Sequence, residues 1–128
     1  MRNEFADRYL ADKVTTASPA ELIGMLYDAG LVAMQAAQAA IGARSVGDAH
    51  RHLIRAQDIV VELRCSLDLS VGELAGNLDS LYDFLGRRLV EANLRKDAAV
   101  VADCIRVFAP LRDGWREACL GRVPAPVA

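Results

Sequence analysis

His50 and His52 are the chain's only imidazoles, and they lie two residues apart. On a helix that spacing turns them roughly 200° from one another, so one face cannot offer both to a metal ion. Cys65, Cys104 and Cys119 form no C-x-x-C pair; an odd set without that spacing suits free thiols in a reducing compartment, read here as small buried or half-buried hydrophobes. Asp58 and Glu62 stand among Arg51, Arg55 and Arg64, the pattern of an ion-paired helix face and not of an acid/base couple. Phosphotransfer is the sharper possibility. His52-Leu53-Ile54-Arg55-Ala56 has the order histidine, any, apolar, basic, small found around phospho-accepting histidines of helical domains. With no nucleophile-base combination and no glycine-rich phosphate loop, an enzyme is not expected, nor is any cofactor or metal.

Any such groups would have to be held by helices. Ser18-Pro19-Ala20-Glu21 carries a cap, a residue with the preset φ of a first helical position and an acidic third residue, which together start a helix. Leu22, Leu26, Ala29, Ala33, Ala36 and Ala40 then recur at four and three, and Gly42 to Gly47 end the run. From about Asp48 the series Ala49, Leu53, Ala56, Val60, Leu63 and Leu67 predicts a second helix. Ile54, Ile59 and Val61 widen its apolar stripe beyond a single seam, so this helix is expected either to be deeply buried or to offer a second apolar surface. Ser70 with Glu73 is read as the cap of a third helix through Leu74, Leu78, Leu81 or Tyr82, Leu85, Leu89 and Ala92. Asp97 caps a fourth with inward Val101, Ile105, Phe108, Leu111, Trp115 and Ala118, and Pro110 should kink it.

Four rods of similar length joined by short turns must run antiparallel, which predicts an all-α, up-down-up-down four-helix bundle. It would span residues 18–120, after an N-terminal arm of residues 1–17 and before a mobile tail of residues 121–128. The 128 residues suffice for one core. Fifteen basic against seventeen acidic residues give a net charge of -2, without the basic cluster nucleic acid requires. Although 53% of residues are hydrophobic, no run approaches the ~20 apolar residues of a membrane span. Met1 to Lys13 lacks the apolar stretch of a secretory signal, so a cytoplasmic location is expected.

The phrases Val14-Thr15-Thr16-Ala17-Ser18-Pro19, Leu26-Tyr27-Asp28, Arg55-Ala56-Gln57-Asp58-Ile59-Val60, Ser66-Leu67-Asp68, Leu81-Tyr82-Asp83-Phe84, Glu91-Ala92-Asn93 and Leu111-Arg112-Asp113 with Trp115 closely resemble the flagellar secretion chaperone FliS family. In family order, they reach from Tyr9 to Ala118. The resemblance implies a cytoplasmic chaperone that holds the disordered C-terminal segment of flagellin, prevents its premature polymerisation and aids delivery to the flagellar type III export apparatus. Flagellar regulators are further possible partners in that family. It also implies that the N-terminal arm covers an empty groove, here through Tyr9, Leu10 and Val14. The groove is assigned to Ile54, Ile59 and Val61 with Leu26, Leu78 and Tyr82, and Gln57, Arg88 and Asn93 are polar residues suited to hydrogen bonds with a client's backbone at its rim or to capping the bundle's own turns. A histidine phosphotransfer module and an unrelated helical adaptor are the competing readings.

Overall fold

The computed structural model of the chain describes residues 16–121. Within them lie four α-helices, α1 (Pro19–Gly42), α2 (Val46–Cys65), α3 (Glu73–Arg95) and α4 (Ala98–Cys119), with one 3-10 turn at Leu69–Val71. Among the described residues there is no strand.

The caps explain most of the boundaries. Ser18 accepts from the Glu21 amide at 3.2 Å and Pro19 opens α1, while Asp97 accepts from the Ala99 amide at 2.9 Å to start α4. Two boundaries differ from expectation. Helix α2 begins at Val46, ahead of Asp48. Ser70 does not cap α3; it sits in the 3-10 turn, whose cap is Asp68 through a 3.0 Å bond from the Ser70 amide. Gly72 then reverses the chain into α3 at φ +130°, a conformation side-chain-bearing residues rarely adopt. Helix α4 runs through Pro110 without a break.

Each helix packs on its two sequence neighbours and α4 closes back onto α1, the up-down-up-down ring that the short turns require. The antiparallel sense is fixed by long-range links. The Trp115 indole donates to the Ala20 carbonyl at 3.1 Å, and Arg116 bridges Asp28 at 3.0 Å, pinning the end of α4 beside the start of α1.

The α1 core face is rotated from the expected one. Ala33 and Ala40 are buried as expected, and Ile23, Tyr27, Leu31, Met34 and Ala37 are buried with them, whereas Leu22, Leu26, Ala29 and Ala36 are only half-buried. Alanine occurs all round this helix, so the larger side chains select the core stripe. At its centre Gly30 admits the Phe108 ring, whose nearest atoms would lie 2.8 Å and 2.9 Å from a Cβ there.

The core also holds a pair of polar side chains. The Tyr27 and Tyr82 hydroxyls bond each other across the bundle diagonal, so neither buried O–H is orphaned. Burial pushes both phenols above their usual pKa, and Tyr27 adds to the rise at Tyr82. Burial also pushes the Cys104 thiol up to about 11. These groups are more acidic in the unfolded chain. Their stabilising contribution is therefore complete below about pH 9 and is lost as pH climbs through the folded values. The urea midpoint is expected to fall steeply between pH 9 and 11, and less steeply in Cys104→Val; equal slopes would exclude a role for the thiol.

Candidate functional site

The outward edge between α2 and α3 carries the candidate site. Two cross-links set the register of this pair. Near one end His50 and Asn93 are in hydrogen-bond contact at 3.0 Å to 3.3 Å. Near the other, Arg64 donates to Asp79 at 2.7 Å and to Asp83 at 3.2 Å. These links are equally spaced on both helices, so Gln57 stands level with Gly86, Ile54 close to Val90, and Val61 close to Asp83. The stretch between the links is about 21 Å long at ~1.5 Å per residue.

Its walls are apolar and open to solvent. Ile54 is 38% exposed and Val61 57% on α2, facing Val90 at 44% on α3. Gly86 is half-buried between the walls, and a Cβ added there would meet nothing within 4 Å. Unlike Gly30, it is not demanded by the bundle's own packing. It leaves a notch in the groove floor at a cost of roughly 1 kcal/mol in helix propensity.

The residues assigned from sequence divide between surface and core. Ile54 and Val61 line this groove, with Gln57 half-buried between them. Three others do not face solvent: Ile59 is 5% exposed, Leu78 8% and Tyr82 2%. Ile59 packs toward Gly30, and the Tyr82 hydroxyl is committed to Tyr27, so these three serve the core and leave the groove assignment. Leu26 is half-buried against the core from α1. Asn93 holds the groove end through His50 and Lys96. Arg88 lies on the other edge of α3, tied to Glu91 at 2.7 Å and to Asp103 of α4 at 3.1 Å. Tyr9, Leu10 and Val14 fall outside the described residues.

Other assignments are corrected in the same way. Cys65 and Cys119 are exposed and only Cys104 is buried. Asp58 and Glu62 make no ion pair among the described residues; Arg64 reaches across to α3 and Arg51 pairs with Asp48. His50 is exposed and His52 half-buried on a different side of α2. Among the described residues no cluster of His, Cys, Asp or Glu could hold a metal ion.

Val90 and Gly86, the far wall and floor of the groove, were not expected there from the sequence. Val90 and Leu94, spaced i, i+4 off the core stripe of α3 and both exposed, were the available signal. A second apolar strip, with exposed Leu74 and Phe84 of α3, follows the seam toward α4. On the seam opposite the groove, between α1 and α4, a cavity of about 600 Å3 is floored by Gly24, Met25 and Trp115 and rimmed by Asp28 and Arg116.

A dry helical core with apolar strips left on its outside places the chain among four-helix-bundle proteins. Comparison with known proteins gives the family. A family model described as flagellar protein FliS matches residues 1–122. The flagellar secretion chaperone FliS of Bacillus subtilis is 34% identical over 110 residues, covering 86% of this chain and 82% of the relative. Those of Salmonella typhimurium (32% over 115 residues, 88% and 85% covered) and Escherichia coli (35% over 109 residues, 84% and 80% covered) are similar. The chain belongs to the FliS family of flagellar secretion chaperones, a family of chaperones and not of enzymes. Among the described residues, no helix is long and apolar enough to cross a membrane.

Proposed function

We propose that this chain binds the disordered C-terminal segment of flagellin in the cytoplasm, keeps it from polymerising prematurely and aids its delivery to the flagellar type III export apparatus. The observation that carries the reading is the open apolar groove between α2 and α3, with Ile54, Val61 and Val90 exposed along it. A segment that self-associates through apolar helical faces needs such a cover while it is free. Gln57, level with Gly86 and half-buried, supports the reading as a side chain that could meet a client's polar groups, while Asn93 is engaged by His50 and Lys96. In the same reading Tyr9, Leu10 and Val14 of the N-terminal arm compete with the client for apolar surface. Flagellar regulators are candidate second partners.

Family membership favours this function over histidine phosphotransfer and over an unrelated adaptor. The test is a titration of a synthetic flagellin C-terminal peptide followed by far-UV circular dichroism. Helix content in excess of the two components is expected to rise with a Kd on the order of 1 µM or tighter, with a negative heat-capacity change as apolar surface leaves water. No binding by a hundredfold higher concentration would overturn the proposal.

A further inference from the structure

The groove between α2 and α3 is electrically unequal along its length. Toward the His50–Asn93 link its α2 lip carries Arg51 and Arg55, with Lys96 across the seam. The carboxylate paired within this group is Asp48, which bridges Arg51. Toward the other link the α2 lip carries Asp58 and Glu62, neither in an ion pair among the described residues. Asp79 and Asp83 face them from α3. The cations there are Arg64, bridged to both of those aspartates, and Arg87, bridged to Asp83. Four carboxylates against two guanidiniums leave this end negative, and three cations against one carboxylate leave the other end positive.

An α-helix is itself unequal, carrying roughly +0.5 charge at its N-terminus and −0.5 at its C-terminus from unpaired amides and carbonyls. Laid in the groove one way, each end meets the opposite sign; reversed, each meets its own. We propose that the groove accepts the client helix in one direction, N-terminal end beside Asp58 and Glu62, C-terminal end beside Arg51 and Arg55, so that the client runs parallel to α3 and antiparallel to α2. This deepens, and rests on, the chaperone reading. The groove length between the links corresponds to about four turns of bound helix. The discrimination comes from charges at a partly exposed surface, so it is sensitive to salt.

Cys65 makes the direction measurable. It is exposed and follows Ile54, Asp58 and Val61 at the i, i+4, i+7, i+11 spacing of one helix face, at the negative end. In Cys119→Ser protein, with Cys104 buried, a flagellin C-terminal peptide is given a thiol-reactive group at either the N- or the C-terminal end of the stretch that becomes helical. Binding is first checked by circular dichroism. The N-terminal reagent is expected to modify Cys65 at least ten times faster than the C-terminal one. Asp58→Lys with Glu62→Lys should weaken binding about threefold to tenfold at low salt and erase the rate difference. Equal or reversed rates in the unsubstituted groove, with binding intact, overturn the direction and leave the chaperone reading standing. Absence of binding overturns both.

Discussion

Phe108→Ala is expected to remove about 3–5 kcal/mol of folding free energy, a large share of the roughly 5–15 kcal/mol a domain of this kind has. The ring is fully buried and reaches α1 at Gly30, while its face tilts against Tyr27 with centroids 5.5 Å apart. The same contact makes Gly30→Ala a sharper test. In the intact core the added methyl overlaps the ring edge, a cost of about 1–3 kcal/mol that outweighs the ~1 kcal/mol gained in helix propensity. In the Phe108→Ala background the ring is gone and the methyl fills part of the hole. Gly30→Ala should therefore stabilise that variant. Urea denaturation of the four proteins in this cycle checks the reversal. The same sign in both backgrounds would show that the ring's approach is not what requires glycine.

Ile54→Asp with Val61→Asp is expected to weaken flagellin-peptide binding by about 100-fold or more while leaving the fold intact. Covering the half of each aliphatic side chain still exposed is worth about 1 kcal/mol apiece, and a carboxylate under a bound helix adds a larger desolvation cost. Both positions are exposed in the free protein, so thermal unfolding should barely shift. Ile59→Asp puts its carboxylate into the core instead of on the surface and should collapse the bundle. Wild-type affinity in the double variant would place the client elsewhere, the strip of Leu74 and Phe84 being the next surface to substitute.

The four helices were legible because their signals are local. Ser18 and Asp97 announce two starts, and the apolar period of α2 holds from Ala49 to Leu63. Helix α1 shows where periodicity loses information. With alanine on every side, two stripes fit the spacing, and only the bulk of buried Met34 and of Tyr27, whose ring meets Phe108, decides between them. The groove is legible only in half. Surplus apolar residues on α2 signalled a second surface, and spacing alone could not separate Ile54 and Val61, which face out, from Ile59, which faces Gly30. The far wall depends on the register of α2 against α3. That register is set by His50 with Asn93 and Arg64 with Asp79, contacts between residues distant in sequence that no helical period encodes.

The hydroxyl link between Tyr27 and Tyr82 also constrains how the scaffold ages under mutation. These rings come from α1 and α3, helices that face each other across the interior instead of lying side by side. Sliding either rod by one turn would part them by about 5.4 Å and strand two polar atoms in a dry interior, at about 1–3 kcal/mol apiece. Swaps among aliphatic residues can therefore accumulate in the layers above and below without letting the rods drift. Any berth for a guest on the outside keeps its length and pitch while the filling changes.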